Sequence, residues 1–314
     1  MDVIYLTHPQ QVKNDKSTVM ALGYFDGVHI GHQKVIQTAK TLAEKRGLLT
    51  SVMTFNPHPK EVLRKPAEPM RYITPLDKKI EIISNLGADQ LFVVHFDQAF
   101  SKLTPQQFVD HYLIDLKVKH VVAGFDYSYG HLGKGTMETL PFHSRGVFEQ
   151  TTVNKVELDE LKVSSTLIRS KIVSGEVDQI FKLLGRNFEV EGKVVHGDKR
   201  GRTIGFPTAN IKLVDRYMIP KLGVYAVTLK VKGKTFEGVC NIGYRPTFKD
   251  GEELPSIEVY LFDFNDEIYR ESVSLSFLQY LRSEKKFGSI DELVQQIHAD
   301  KIAAEKFFEE KKTK

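Results

Sequence analysis

Residues 23–32 are Gly23-Tyr24-Phe25-Asp26-Gly27-Val28-His29-Ile30-Gly31-His32, and they separate two apolar segments of different period. The segment before them, 19–22, is a continuous apolar run typical of a buried parallel strand. In the segment after them, 33–46, apolar residues recur at helical spacing. The stretch is therefore predicted to be a strand-to-helix turn, and its glycines allow a tight bend and a close approach to a ligand.

Two histidines lie where this helix would begin. A helix N-terminus offers unpaired N–H groups and the positive end of the helix dipole, which suit a phosphate. His29 and His32 are three residues apart, so both imidazoles can face one bound group and help to supply stabilising charge. This arrangement suits adenylyl transfer, which needs positioning and charge stabilisation at the phosphoryl oxygens. A His-x-x-His pair alone would favour a capped turn, but three glycines and Asp26 beside it favour a functional site.

Strands and helices alternate as far as about residue 160. Helices are predicted to begin at Thr74-Pro75 and Thr104-Pro105, each with threonine as the N-cap and proline in the first helical position. This alternation predicts a doubly wound parallel sheet, on which ligands bind beyond the carboxyl ends of the strands. After the strand at 19–22, the predicted strands are 48–55, 90–96 and 119–124.

Three further motifs follow strand ends or begin a helix. Thr54-Phe55-Asn56-Pro57-His58-Pro59 closes the second strand, and Gly124-Phe125-Asp126-Tyr127-Ser128-Tyr129-Gly130 closes the fourth. Ser164-Ser165-Thr166-Leu167-Ile168-Arg169 begins another helix. Each alone fits a structural role, as a proline turn, an aromatic turn with a capping Asp, or a helix N-cap. The third also offers hydroxyls, a helix N-terminus and a guanidinium to ATP phosphates.

The spacing of the apolar residues changes near residue 185. Short alternating segments separated by turns follow, and they predict an antiparallel barrel in which Lys232-Gly233-Lys234 forms a hairpin turn. Ser289 is predicted to cap a C-terminal helix that runs towards Phe308, with a frayed charged tail after it. The predicted domains are therefore 1–185, which is α/β, and 186–314, which is β with a terminal helix. The predicted barrel strands include 188–191, 224–231, 236–242, 257–261 and 272–275.

A glycine-rich segment in the second half is Gly197-Asp198-Lys199-Arg200-Gly201-Arg202-Thr203-Ile204-Gly205-Phe206-Pro207-Thr208-Ala209-Asn210. Its glycines permit a loop that binds phosphates through backbone N–H groups, although it lacks the Walker A pattern. Thr208 and Asn210 are two apart and face one side of an extended segment. Their neutral oxygens are acceptable to Mg²⁺ held mainly by ATP phosphates and water. A polar barrel loop explains these residues equally well.

Composition limits the class of protein. The chain has 314 residues, of which 41% are hydrophobic, which is ample for two packed domains. Its net charge of +4, with 44 basic and 40 acidic residues, does not imply a nucleic-acid partner. A single cysteine, Cys240, excludes an intramolecular disulfide and fits the cytoplasm. No apolar run has the length of a membrane span, so no membrane partner is expected.

The first-half motifs resemble those of bacterial FAD synthetases, which carry an HxGH nucleotidyltransferase turn. The matching patterns occur in the family's order: GxFDGxHxGH, TFxPHP, GxDxxxG and SSTxIR. The family usually has arginine where this chain has Leu167 and Ser128. The resemblance implies catalytic roles for His29, His32 and Arg169. It implies ATP contacts from Gly23, Phe25, Asp26, Gly27, Gly31, Ser164, Ser165 and Thr166, and flavin contacts from Asn56, His58 and Asp126.

The second half resembles riboflavin kinases. GRxxGFPTAN matches residues 201–210, GVCNIGYRPTF matches 238–248, and RSEKKF matches 282–287. The resemblance implies that Glu258 takes the proton of the riboflavin 5′-hydroxyl as it attacks the γ-phosphate of ATP. It also implies Thr208 and Asn210 as metal ligands and Arg282 as a flavin contact. The implied ATP contacts are Gly197, Gly201, Arg202, Gly205, Pro207, Thr208 and Asn210.

Together the two resemblances imply a bifunctional enzyme that makes FMN from riboflavin and FAD from FMN, with ATP and Mg²⁺ in both steps. A flavin-binding regulatory protein with one degenerate site is an alternative, because Leu167 stands where the family usually has arginine. An aminoacyl-tRNA synthetase relative is another, but the chain lacks a Lys-rich second signature and a tRNA-binding module. The partners are expected to be flavins and ATP, and a weak homo-oligomer is left open.

Overall fold

A computed structural model describes residues 1–64, 68–197, 201, 204–244 and 255–313. The chain forms two compact units, 1–165 and 166–314. Arg202, which was predicted to contact ATP, lies outside the described residues, as do residues 245–248 of the second kinase-like motif.

The main sheet of the first unit contains six strands: β1 Asp2–Leu6, β2 Thr18–Leu22, β3 Leu49–Asn56, β4 Gln90–His95, β5 Val118–Gly124 and β8 Glu149–Val153. They form one sheet in the order β1-β4-β3-β2-β5-β8, and every neighbouring pair is parallel. The chain therefore builds the sheet in one direction from β2 to β4, and then crosses to the other side of β2. This confirms the doubly wound fold and places the turn after β2 at the topological switch point, where such sheets bind ligands.

Helices cover both faces of this sheet. Val19 and Ala21 of β2 belong to one apolar cluster, and Met20 and Leu22 belong to the other. Because β2 is covered on both faces, its residues 19–22 are all apolar. The helices are α1 Ile30–Arg46, α2 Pro59–Arg64, α3 Leu76–Asn85, α4 Pro105–Val109 and α5 Leu140–Ser144, with a π-helical turn at Asp110–Ile114 and 3₁₀ turns at Phe100–Lys102 and His131–Gly133. Two small hairpins pair β6 Ser128–Tyr129 with β7 Gly135–Thr136, and β9 Glu157–Leu158 with β10 Leu161–Lys162.

The two Thr-Pro helix starts have different outcomes. At α4 the prediction is confirmed, since the Thr104 side chain accepts from the amide of Gln107 and Gln107 completes a capping box. At α3 the prediction was wrong by one residue, because Pro75 is the N-cap and no side chain caps the helix. The amide of Thr74 instead donates to Asp26 Oδ1, at 3.1 Å. This tertiary contact uses the backbone N–H of Thr74, and not the side-chain oxygen that the predicted cap would have used.

The second unit is built on a closed antiparallel barrel, as predicted. Its strands are β11 Phe188–Val195, β12 Thr208–Leu213, β13 Gly223–Val231, β14 Lys234–Gly243, β15 Ser256–Leu261 and β16 Ser272–Arg282. The order around the barrel is β11-β12-β15-β14-β13-β16, and β16 closes it against β11. Lys232 and Gly233 form the predicted hairpin turn, and both have positive φ, 50° and 77°.

Two short helices precede the barrel: α6 Ser165–Ser174 and α7 Ile180–Leu184, with a 3₁₀ turn at Val177–Gln179 between them. The amide of Lys221 donates to the carbonyl of Ile172, at 3.2 Å, and Gly175 lies against Tyr225. Most of α6 is therefore grouped with the barrel. The compact units divide after Ser165, whereas the change of period suggested residue 185, and that boundary stays a prediction.

The C-terminal helix α8, Ile290–Lys312, packs on the barrel through Ala304 and Phe308. Ser289 caps it as predicted, accepting from the amide of Glu292. The helix extends to Lys312, so the tail predicted to be frayed from Glu309 is mostly helical. Among the described residues, no helix combines the length and the apolar character needed to cross a membrane.

A buried ion pair joins α8 to the last barrel strand. Arg282 Nε and Nη2 donate to the two carboxylate oxygens of Asp300, each at 2.7 Å. Gln296 Nε2 also donates to Asp300, at 3.0 Å. The carboxylate, only 7% exposed, explains the polar interruption at residues 300–301 in the apolar stripe of α8.

We predict that Asp300→Ala destabilises the second unit by about 3 kcal/mol, because it leaves the Arg282 guanidinium buried without its bidentate partner. Lys301→Ala is the matched control, since Lys301 is a partly exposed neighbour paired with Glu305 and should change stability by less than about 1 kcal/mol. Denaturant unfolding of both variants tests this. Equal stability of Asp300→Ala and the control would contradict it.

Candidate active sites

The turn between β2 and α1 has a strained backbone. Phe25 and Val28 have φ of 57° and 39°, and Gly27 has φ of 86°. Positive φ is unusual for a side chain other than glycine, and for a β-branched residue such as valine it is a clear outlier. Such a conformation persists only where the surroundings hold it.

Hydrogen bonds to the carbonyl oxygens hold this turn. The carbonyls of Tyr24, Asp26 and Val28 each accept from side chains elsewhere in the unit. The donors are Thr54 Oγ1 (2.8 Å) and Lys79 Nζ (2.9 Å) for Tyr24, Ser165 Oγ (2.8 Å) for Asp26, and Gln33 Nε2 (2.9 Å) for Val28. The Ser165 hydroxyl, predicted to cap a helix or bind ATP, thus donates to the turn.

Three of the predicted ATP contacts are internal to the turn. The Asp26 carboxylate is 3% exposed and accepts from the amide of Thr74. The Phe25 ring is buried, covers Gly23 and meets the edge of His32, with the ring centroids 5.3 Å apart. Gly31 lies under the His29 ring, and a Cβ at Gly31 would be 3.1 Å from the nearest atoms of that ring. These residues shape the turn from within.

His29 is the N-cap of α1. Its Nδ1 accepts from the amide of His32 at 3.2 Å, and the two imidazole rings stack with centroids 3.6 Å apart. Because Nδ1 is an acceptor, the neutral ring carries its proton on Nε2. His29 can therefore donate a hydrogen bond from Nε2 beside the helix N-terminus.

His32 is held in its neutral form. Burial lowers its pKa well below the usual value, and the nearby His29 and Lys79 lower it further. Its Nδ1 is buried without a hydrogen-bond partner among the described residues. At neutral pH the ring of the free site therefore offers hydrogen bonding, whereas the sequence argument expected the imidazoles to supply charge.

Lys79 is a residue that the sequence analysis missed. It is 2% exposed on α3, and its Nζ lies 4.2 Å from the centroid of the Tyr24 ring. Burial lowers its pKa to about 8, and Asp26 partly opposes this shift. Lys79, Ile83 and Leu86 share helical spacing, so the apolar stripe of α3 indicated that this lysine faces inward.

The predicted flavin contacts lie near the carboxyl ends of neighbouring strands. Asn56 ends β3, and the His58 ring meets the Tyr24 ring with centroids 4.1 Å apart. Asp126 follows β5 and pairs with Lys162, at 2.5 Å. The sheet order places the ends of β3 and β5 on either side of β2. The sheet therefore brings both motifs to the edge that carries the histidine turn.

The serine-rich motif spans the division between the units. Ser164 and Ser165 belong to the first unit, and Thr166, Leu167 and Arg169 belong to the second. Thr166 is exposed and Leu167 is half-buried. Arg169 Nη1 lies 3.5 Å from Met218 Sδ.

The kinase-like residues share the outer face of the barrel. Asn210 on β12 pairs with Glu258 on β15, and Thr208 pairs with Tyr260. Ile257 and the other odd-numbered neighbours in β15 are buried in the barrel, so Glu258 faces outward. Asn241 on β14 lies on the other side of Glu258 in register. Asn241 is a polar neighbour that the sequence analysis did not assign.

Two of the described glycines of the glycine-rich segment lie close to neighbouring side chains and backbone. A Cβ at Gly197 would collide with the Asn210 side chain, and a Cβ at Gly201 would collide with the Phe206 carbonyl. Gly205 has φ of 86°. Next to the loop lies a cavity of about 260 Å³, lined in part by Pro207, Thr208, Glu267 and Tyr269.

Arg282, the predicted flavin contact, has a structural partner. Two of its guanidinium nitrogens bind Asp300, and Nη1 donates to the Ser283 carbonyl at 2.9 Å. Its role towards a flavin stays a prediction.

Comparisons with known proteins match both halves of the chain. A family model described as FAD synthetase matches residues 11–167, and one described as riboflavin kinase matches residues 184–308. The predicted boundary near residue 185 lies beside the start of the second match.

Curated relatives match the chain over nearly its full length. The bifunctional riboflavin kinase/FMN adenylyltransferase of Bacillus subtilis is 50% identical over 98% of both chains, and that of Listeria monocytogenes is 50% identical over the same shares. The Escherichia coli K12 protein of that name is 35% identical, also over 98% of both chains.

A solved structure described as a macrolide-efflux protein from Streptococcus pneumoniae has a TM-score of 0.87 and 38% identity, over 96% of this chain and 97% of that one. Its description differs from those of the curated relatives, while its fold agrees with the one found here. The two family models and the full-length relatives agree with each other. The chain therefore belongs to the bifunctional riboflavin kinase/FMN adenylyltransferase family.

Proposed function

We propose that this chain phosphorylates riboflavin to FMN and adenylylates FMN to FAD, with ATP as the co-substrate of both reactions and pyrophosphate released in the second. The observation that carries the proposal is that each matched family region contains its own constellation of polar side chains. The histidine turn lies in the first region, and the row of Thr208, Asn210 and Glu258 lies in the second. We place the domain boundary near residue 185.

The first unit would carry out adenylyl transfer at the histidine turn. The phosphate of FMN attacks the α-phosphorus of ATP, and charge moves to the departing pyrophosphate. The N-terminus of α1 attracts the phosphates, and His29 donates from Nε2 to a phosphoryl oxygen. The His32 ring stacks on that of His29, with centroids 3.6 Å apart, and helps to hold it in this position.

The remaining assignments for this reaction rest on the family motifs. Arg169 is proposed as a cationic catalytic group, and Ser164 and Thr166 as ATP contacts. Asn56, His58 and Asp126 are proposed to contact the flavin, which agrees with their places at the ends of β3 and β5. Phe25, Asp26 and Ser165 would act on ATP by fixing the turn.

The second unit would carry out phosphorylation on the outer face of the barrel. Glu258 accepts the proton of the riboflavin 5′-hydroxyl while the oxygen attacks the γ-phosphate of ATP. The cavity beside Pro207 and Thr208 is suited to part of the nucleotide. Arg202 and Arg282 are proposed as contacts to ATP and to the flavin by resemblance.

Mg²⁺ is proposed for both reactions. In the second unit the Thr208 hydroxyl and the Asn210 amide oxygen are hard neutral donors two residues apart on one strand, which fits a cation held mainly by phosphates and water. When bound, the ion neutralises charge on the phosphates. The Asn210 side chain lies so close to Gly197 that a Cβ there would collide with it.

The proposed setting follows from the composition. We propose that the protein acts in the cytoplasm on small-molecule substrates, without a nucleic-acid or membrane partner, since its net charge is +4 and Cys240 is its single cysteine. Formation of a weak homo-oligomer stays a prediction. Incubation with riboflavin, ATP and Mg²⁺, followed by separation of the flavins, tests the activities directly: absence of both FMN and FAD would refute them.

The histidine turn generates the first activity prediction. His32→Ala and His29→Asn should each slow FAD formation from FMN by about a hundredfold, because each removes a preorganised hydrogen-bonding group. Asparagine at position 29 keeps an N-cap, so α1 should retain its stability. FMN formation by the same preparations is the internal control, and unchanged FAD rates would limit the histidines to a capping role.

The second activity prediction concerns Glu258. Glu258→Gln keeps the shape of the side chain and removes the proton acceptor, so kcat for FMN formation should fall about a hundredfold with little change in KM for ATP. Glu237→Gln makes the same chemical change at a residue paired with Lys312 and should leave kcat unchanged. A normal turnover of Glu258→Gln would mean that the base lies elsewhere.

The third activity prediction concerns the proposed metal ligands. Thr208→Ala and Asn210→Ala should raise KM for MgATP in FMN formation by about tenfold, with partial rescue by higher Mg²⁺. Thr208→Ser, which keeps the hydroxyl, should remain close to the wild type. A KM that does not respond to Mg²⁺ in either alanine variant would argue against ligation.

A further inference from the structure

A buried ammonium lies directly beneath the strained turn. Lys79 Nζ donates to the Tyr24 carbonyl at 2.9 Å and lies 3.4 Å from Thr54 Oγ1, which donates to the same carbonyl. This carbonyl belongs to the residue immediately before Phe25, the first residue of the turn with positive φ. Lys79 therefore acts on the backbone at the point where the turn leaves β2.

The same helix holds the turn at a second point. The amide of Thr74, just before α3, donates to the Asp26 carboxylate. The two contacts tie both ends of the Tyr24–Asp26 segment to the first part of α3. A shift of α3 would consequently be transmitted to the backbone that leads to His29.

Anchoring a carbonyl does not require a charge. A neutral amide donor would satisfy the Tyr24 oxygen without the cost of burying an ammonium, which is large. The groups that face this ammonium are the Tyr24 ring, the Thr54 hydroxyl, the Asp26 carboxylate and the neutral His32 ring. The Thr74 amide stabilises the Asp26 carboxylate by a hydrogen bond but does not neutralise it. The ammonium therefore offsets a buried negative charge next to the histidine pair, which would otherwise repel the polyphosphate of ATP.

We propose that Lys79 is a positioning residue for adenylyl transfer, whose ammonium fixes the Tyr24 carbonyl and offsets the negative charge of Asp26 beneath the histidine turn. This inference rests on the proposed FMN adenylyltransferase activity of the first unit. Lys79 acts through the turn and through its field, without contact with the reacting atoms.

The proposal has a pH signature of known sign. Lys79 is charged below a pKa of about 8 and loses its proton above it. Adenylyl transfer that depends on this charge should therefore decline as the pH rises through about 8. The free energy of unfolding should instead rise between pH 8 and 10. In this range the unfolded lysine, with its higher pKa, binds more protons than the folded one. A loss of activity at alkaline pH without a loss of stability would therefore come from the charge of Lys79 and not from unfolding.

The test uses the full chain and three variants. Lys79→Gln keeps a hydrogen-bond donor and removes the charge, and Lys79→Met removes both. Lys78→Met is the matched control, because Lys78 is the adjacent lysine and pairs with Glu81, at 3.0 Å. For each protein, kcat/KM for ATP in FAD formation is measured from pH 6 to 10, together with the thermal midpoint and the rate of FMN formation.

We expect Lys79→Gln and Lys79→Met to lower kcat/KM at pH 7 by about tenfold to a hundredfold, as misplacement of catalytic groups does. Their alkaline decline near pH 8 should disappear, whereas Lys78→Met should keep the wild-type profile. FMN formation should be unchanged in all three. A Lys79→Gln variant with the wild-type rate and the wild-type decline would overturn the proposal. Absence of FAD formation in the wild type would instead refute the proposed activity.

Discussion

The strained turn at residues 25–28 depends on the hydrogen bonds made to its carbonyl oxygens. Val28 and Phe25 cannot hold positive φ by their own preference, so the energy must come from tertiary partners. Those partners reach the turn from β3, from α1, from α3 and from the start of α6. The conformation of this turn determines where α1 begins. It therefore also determines the positions of His29 and of the unpaired N–H groups of α1. The geometry of the first site is thus a property of the whole unit.

The two units use buried charge in different ways. In the second unit the Arg282 guanidinium meets the Asp300 carboxylate in a bidentate pair, and the charges largely satisfy each other. In the first unit Lys79 has a carbonyl, a hydroxyl and an aromatic face around it, and the nearby Asp26 is also engaged by an amide. A matched pair fixes one element against another. At Lys79 the ammonium instead fixes a backbone carbonyl and offsets the charge of Asp26, so that an anionic ligand is not repelled.

Local sequence signals predicted most of the fold. The apolar run at 19–22, the Lys232-Gly233 turn and the Ser289 cap depend on neighbouring residues, and each was confirmed. The details that were missed involve contacts between residues far apart in the sequence. The Thr74 amide donates to Asp26, 48 residues away, and the partner of Asp300 in the polar interruption of the last helix is Arg282 on another element. Asn241 joins Glu258 only through the register of the barrel, which sequence periodicity does not specify.

The two proposed sites differ in a way that follows from their nucleophiles. A phosphate monoester such as FMN is already largely dianionic at neutral pH, since its second pKa is about 6. Its attack on ATP needs no general base, so neutral imidazoles and a helix N-terminus suffice. A ribityl hydroxyl keeps its proton at neutral pH, and its attack therefore needs an acceptor. The outward-facing carboxylate of Glu258 supplies one on the barrel, whereas the buried carboxylate at the histidine turn, Asp26, is committed to the backbone.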